Sequence, residues 1–177
     1  GLQQGAKIHR QLQKEMEEGY QSEVRLSFEI SYDDFTLLVE GIADGIITAL
    51  DEVVIDEIKS TFTPAEMVDQ EHNPLHWAQA KCYAWMYMAR IGVQEITVRL
   101  TYYNVDTGKI KRLRQTFSYQ ELHSFFFDLA SQYAEWIRFS LRHVQRRDRS
   151  IKDLPFPFAE YRRGQKNLAA AVYRSIR

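Results

Sequence analysis

At 177 residues and 45% hydrophobic content, with 10 Phe and 10 Tyr, the chain is long enough for one domain with an ample core, which excludes disorder for its bulk. No apolar run is long enough to span a bilayer, and the lone Cys82 excludes an intramolecular disulfide or a four-cysteine metal site. The net charge of −1 hides an asymmetry: residues 138–177 hold 11 Lys/Arg against 3 Asp/Glu, or +8, so the rest carries −9.

The start, Gly1-Leu2-Gln3-Gln4, is polar, uncharged and without an initiator Met. It is expected to be no signal peptide and to mark a piece of a longer protein. A reducing, cytoplasmic setting is expected. Residues 6–19 predict a helix, with Ile8, Leu12 and Met16 at a spacing of four and His9 beside that stripe. Val24, Leu26, Phe28 and Ile30 alternate as a strand over 23–31. Residues 35–48 and 52–60 are near-continuous apolar runs, expected to be strands buried on both faces. A helix is predicted from Asn73-Pro74 to about Ile91. Residues 95–103 and 109–117 flank a turn-rich stretch at 104–108 and predict a hairpin. An amphipathic helix follows over 119–145, carrying Leu122, Phe126, Leu129, Tyr133, Ile137, Leu141 and Val144. Asp153-Leu154-Pro155-Phe156-Pro157 breaks the chain, and a last helix is expected from about Glu160 to the end. The order α-β-β-β-α-β-β-α describes an α/β fold with a central mixed sheet flanked by helices.

Two acids interrupt the apolar strand runs, Asp44 and Glu57, and buried carboxylates are costly unless something pairs with them. If the turn between these strands centres on Leu50-Asp51, Ile46 faces Ile55 and Asp44 faces Glu57. Directly opposite Cβ atoms lie ~5 Å apart, close enough for two carboxylates to share a hard cation such as Mg²⁺ or Mn²⁺. Lys59, two residues beyond Glu57, projects from the same strand face, where it can reach a phosphate or an attacking water. A slip of one residue would turn Glu57 and Lys59 away. Asp56 points to the other face and ranks below Glu57 as a ligand. Gln79 and Tyr83, four apart, share a helix face, with His76 one turn before them. Gln suits the orientation of a water or a metal-bound group, and Tyr suits a phosphate or a base. His9 offers a nitrogen ligand, which favours Mn²⁺ over Mg²⁺.

This ordered set resembles the PD-(D/E)XK nuclease superfamily, and within it the RecB-like group. The matching segments are His9 in Gly5-Ala6-Lys7-Ile8-His9, Asp44 in Gly41-Ile42-Ala43-Asp44-Gly45, Glu57-Ile58-Lys59, and Gln79-Ala80-Lys81-Cys82-Tyr83. The match covers roughly residues 5–90. It implies a restriction-endonuclease-like core and cleavage of DNA phosphodiesters with one or two divalent metals. It also implies His9, Asp44, Glu57 and the Ile58 backbone carbonyl as metal ligands, Lys59 as the catalytic lysine, and Gln79 and Tyr83 as the group's Gln-x-x-x-Tyr motif. Some relatives pin their ends with an iron–sulfur cluster on four cysteines, which this chain lacks.

The tail has its own resemblance. Phe156-Pro157-Phe158-Ala159-Glu160-Tyr161-Arg162-Arg163-Gly164-Gln165 is similar to the start of an XPD/DinG-type helicase, where the Gln helps to hold adenine. No Gly-x-x-x-x-Gly-Lys segment follows, so ATP hydrolysis is not expected of these residues. The organisation implied is a nuclease domain over 1–147, then a basic linker and the start of a helicase domain over 148–177. DNA and the helicase domain of the same parent chain are the implied partners, in DNA repair or recombination. Arg142, Arg146, Arg147, Arg149 and Lys152 form an expected DNA-approach surface or a dock for that helicase. Two other readings stand beside the nuclease. One is a non-catalytic module of the same fold that grips DNA or a partner. The other is an ordinary mixed domain whose acids pair structurally, for example with Arg99 or Arg114.

Overall fold

The computed structural model describes residues 2–14, 16, 19–49, 52–152, 154–155 and 159–175, with the backbone alone for 2–7. The chain runs α1 (Leu2–Lys14), β1 (Tyr20–Ser31), β2 (Thr36–Thr48), β3 (Val53–Thr61), α2 (Pro74–Ile91), β4 (Glu95–Asn104), β5 (Ile110–Ser118), α3 (Tyr119–Lys152) and α4 (Gln165–Ser175). This is an α/β fold: one mixed sheet, in the order β1-β2-β3-β4-β5, flanked by helices. Every neighbouring pair is antiparallel except β3 and β4, which are parallel and joined through α2. A parallel pair needs such a crossover, and the sequence supplies its ends. The Asn73 side chain accepts from the Leu75 N–H, Pro74 fills the first turn, and Gly92 closes the helix with φ +74°. Ser118 and Glu121 cap α3 reciprocally, each side chain accepting from the other's backbone N–H.

Four elements differ from the sequence reading by more than one residue, the first of them α1, which begins at Leu2 and not at residue 6. Helix α1 ends at Lys14, and the expected continuation through residues 15, 17 and 18 lies outside the described residues. Strand β1 begins at Tyr20. Helix α3 continues past the last apolar residue of its stripe to Lys152, because Arg and Gln sustain a helix until Pro155 stops it. Helix α4 starts at Gln165, not near Glu160, because Gly164 takes φ +84° and turns the chain first. The helicase-like Phe156-Pro157-Phe158 lies outside the described residues, as do the Leu50-Asp51 turn centre and Asp153.

The chain forms two compact units, Gly1–Ala134 and Glu135–Arg177, which divide within α3. The boundary expected after residue 147 falls nearer the end of that helix. The core of the first unit joins Leu26, Ile30, Ala43, Ile46 and Ile55 of the sheet to Trp77, Ala84, Trp85 and Met88 of α2, with Leu122 and Phe126 of α3. Phe28 packs edge-on against Trp85 and Phe126, with centroids 5.8 and 5.7 Å away. In the second unit, Arg142, Arg146, Arg147, Arg149 and Lys152 are all exposed, and Arg147 pairs with Asp148 at 2.8 Å. Among the described residues no helix is long and apolar enough to cross a membrane.

Strand β2 corrects the expectation of burial on both faces. Leu38, Glu40 and Ile42 are exposed, while Leu37, Val39 and Ala43 enter or line the core. This half of the strand therefore alternates like a sheet with one wet face. Past Ala43 the phase changes, since Ile46, an odd number of residues on, is again in the core. The change occurs at Asp44. Opposite it, Glu23 takes φ +54°, and the β1–β2 ladder pairs Ser22 with Gly45 and Val24 with Ala43, skipping Glu23 and Asp44.

Candidate metal and phosphate site

The β2–β3 register is the one a turn at Leu50-Asp51 demands: Ile46 opposes Ile55 and Gly45 opposes Asp56. There the ladder ends. Continuation would set Asp44 opposite Glu57, but the strands part at that point and side chains fill the gap. Asp44 Oδ2 accepts the Ile58 N–H at 2.8 Å, and Asp44 Oδ1 lies 3.1 Å from His9 Nδ1. The N–H and C=O of a strand residue face the same edge. The Ile58 carbonyl therefore faces the gap with Asp44. The Asp44 carbonyl in turn accepts from Gln13 Nε2 at 2.8 Å.

A second chain of bonds starts at Glu57. Lys59 Nζ donates to Glu57 Oε1 at 2.7 Å and to Gln79 Oε1 at 2.9 Å. Lysine can only donate, which fixes the Gln79 amide with its oxygen toward Lys59. Gln79 Nε2 then donates to the Tyr83 hydroxyl at 3.1 Å. The Tyr83 ring lies so close to Gly41 that a methyl group there would overlap it. Sequence spacing put Gln79 and Tyr83 on one face of α2, and the structure turns that face toward β3 beside Lys59. His76 points to different partners, Tyr102 Oη at 2.9 Å and Asn73 Nδ2 at 3.1 Å.

The electrostatics separate the two adjacent acids of β3. Glu57 is 2% exposed, and its Oε2 is buried without a hydrogen-bond partner. Burial, then the nearby Asp44 carboxylate, push its carboxyl up to about 7 against the pull of Lys59. The hydrogen bond that His9 makes to the Asp44 carboxylate raises the His9 pKa, against desolvation. Asp56, on the other face, is fully satisfied. Arg99 grips it with Nε at 2.9 Å and Nη2 at 3.1 Å, Thr101 Oγ1 donates at 2.6 Å and Tyr20 Oη at 3.1 Å. Arg99 thus takes Asp56, and Arg114 takes Glu52 at 2.7 Å. Neither arginine neutralises Asp44 or Glu57 through these pairs.

Among the described residues, no three His, Cys, Asp or Glu side chains stand ready as a metal cage. Both Asp44 oxygens are engaged within the protein. The donor set nevertheless fits a hard divalent cation. Glu57 Oε2 is a buried acceptor that lacks a donor. A neutral His9 has one nitrogen lone pair to offer, and its Nδ1 stands 3.1 Å from Asp44 Oδ1, a spacing that suits two neighbouring ligands of one ion. The Ile58 carbonyl adds an oxygen. The sequence reading brought together His9, Asp44, Glu57, Lys59, Gln79 and Tyr83, and missed Gln13 and Gly41. Gln13 stands four residues after His9, so shared helical facing was its only sequence signal. Arg142, Arg146, Arg147, Arg149 and Lys152 belong to the second unit.

No protein-family model matches the sequence, and no curated protein matches it. Among solved structures, the chain is similar to the crystal structure of SSO0001, with 16% identity and a TM-score of 0.47. The likeness covers 72% of this chain, which spans 58% of that protein's length.

Proposed function

We propose that this chain is a divalent-metal-dependent deoxyribonuclease domain of the PD-(D/E)XK kind, RecB-like, with the sheet as its restriction-endonuclease-like core. One observation carries the reading. Glu57 Oε2 is a buried carboxylate oxygen without a donor, while its Oε1 is held by Lys59 and the Asp44 carboxylate and His9 lie near enough to act on its charge. A carboxylate kept for structure resembles Asp56, both of whose oxygens are bonded. An orphaned charge-bearing oxygen costs stability unless a ligand completes it.

Glu57, Asp44, His9 and the Ile58 carbonyl would hold Mg²⁺ or Mn²⁺. Such an ion polarises the phosphoryl oxygen, lowers the pKa of a bound water and steadies the leaving oxygen. Lys59 spends two N–H groups on Glu57 and Gln79, and its third is available where negative charge develops in the transition state. Gln79 holds Lys59 and Tyr83 in fixed relation, and Tyr83, which accepts from Gln79, keeps its own proton for a phosphate oxygen. A DNA-approach role for Arg142, Arg146, Arg147, Arg149 and Lys152, a helicase continuation of the chain, and a cytoplasmic setting belong to the same proposal. At Tyr161–Gln165 the Gln165 side chain accepts the Arg162 N–H at 3.0 Å.

Titration calorimetry with Mn²⁺ tests the metal centre. Binding is expected in the wild type, lost in Asp44→Asn and in Glu57→Gln, and retained in Lys59→Ala. Folded wild type that binds no Mn²⁺ contradicts the reading.

A further inference from the structure

We propose that Gln13 is a positioning residue of this metal site. It is the donor that locks α1 onto Asp44, so that His9 and Asp44 are presented together; this rests on the metal-centre reading above. The need arises from the break in the sheet. Asp44 is skipped by the β1–β2 ladder, and the β2–β3 ladder stops one residue short of it. Its carbonyl therefore lies outside both ladders, and a backbone carbonyl stripped of water and left unpaired is costly. Gln13 Nε2 meets it at 2.8 Å.

Gln13 and His9 are four apart on α1, on one helix face. Both converge on the same residue of β2, His9 on its side chain and Gln13 on its main chain. Among the α1 side chains described, only Leu12 is buried. Leu12 holds the helix down, and two polar contacts with a single residue fix its rotation. The two contacts are not equivalent. The His9 bond draws on a carboxylate oxygen, which a cation claims for itself. The Gln13 bond draws on the carbonyl and persists whatever occupies the carboxylate. Gln13 is thus the contact that keeps His9 in place once the ion is present.

The test compares the whole 177-residue chain with Gln13→Met, which keeps length and removes the donor, and with Gln13→Glu, which is isosteric and also lacks it. Gln11→Met, at an exposed position of the same helix, is the control. Mn²⁺ affinity is measured by calorimetry, and ligation by His9 through the nitrogen coupling seen by pulsed electron paramagnetic resonance of the bound ion. Both Gln13 variants are expected to lose about 10-fold or more in affinity, the range found for outer-shell partners, and to lose the nitrogen coupling at saturating Mn²⁺. The control is expected to match wild type in both. Gln13 variants that bind Mn²⁺ as wild type does, with full nitrogen coupling, overturn the proposal and leave the metal centre standing. A wild type that binds no Mn²⁺, or an Asp44→Asn variant that binds equally well, overturns the metal centre and this proposal with it.

Discussion

Adjacent carboxylates on β3 show how different one residue's surroundings are from the next. Asp56 and Glu57 are both buried, at 0% and 2% exposure, yet only Glu57 retains an oxygen without a partner. Alternation along the strand told from sequence alone that they face opposite ways. It could not tell that Arg99, Thr101 and Tyr20 converge on Asp56, because those contacts span long stretches of chain. Asp56→Ala leaves the Arg99 guanidinium buried without its carboxylate and is expected to cost about 3–5 kcal/mol in urea unfolding. A loss below about 1 kcal/mol contradicts the structural role. Glu57 behaves in the opposite sense. Its folded-state pKa is raised from 4.5 to about 7, so the protonated acid is the form the fold prefers. The stability this confers is complete below pH 4.5 and is lost as pH rises through 7. In the metal-free protein the loss is on the order of 3 kcal/mol. Glu57→Gln is expected to remove this pH dependence, so the unfolding midpoints of wild type and variant separate differently at pH 5 and pH 8. A constant separation across that range sinks the assignment.

At the scale of elements, the informative device is the break in β2. The turn rule gave the register correctly, pairing Ile46 with Ile55, because hairpin pairing follows from where the turn is centred. The change of face at Asp44 was not legible. It depends on the positive φ of Glu23 on the neighbouring strand, which no hydrophobic pattern encodes. Gly41 carried a clue that could not be read without the fold. Its missing side chain lets the Tyr83 ring of α2 lie against β2, and Gly45 does the same for Tyr20. Gly41→Ala forces the Tyr83 ring to move and is expected to cost about 1–3 kcal/mol, as overpacking does. It is also expected to break the Gln79–Tyr83 contact, which the Tyr83 ring resonances in an NMR spectrum would report. Unshifted Tyr83 signals contradict this packing account.

Across the whole molecule, the order of elements followed from helical and strand spacing at residues 6–31 and 119–145, from apolar runs at 35–60, and from the turn-rich stretch at 104–108. Charge asymmetry likewise pointed to a distinct C-terminal region, and the five basic residues singled out there are solvent-exposed in the second unit. Helix α3 hid the division, since one continuous helix carries the chain from the first unit into the second. If that basic stretch meets DNA, neutralising Arg146 and Arg147 together flattens the dependence of log K on log salt by about 1–2 units. An unchanged slope assigns the stretch to another task.

The hydrolytic role proposed for Asp44, Glu57 and Lys59 can be put to direct trial. Cleavage of end-labelled single- and double-stranded DNA, with Mn²⁺ or Mg²⁺ and with wild type beside Lys59→Ala, tests it most directly. Metal-dependent cutting by the wild type and none by the folded variant is the expected result. Folded wild type that cuts neither substrate with either metal, or a Lys59→Ala variant that cuts as well as wild type, contradicts it.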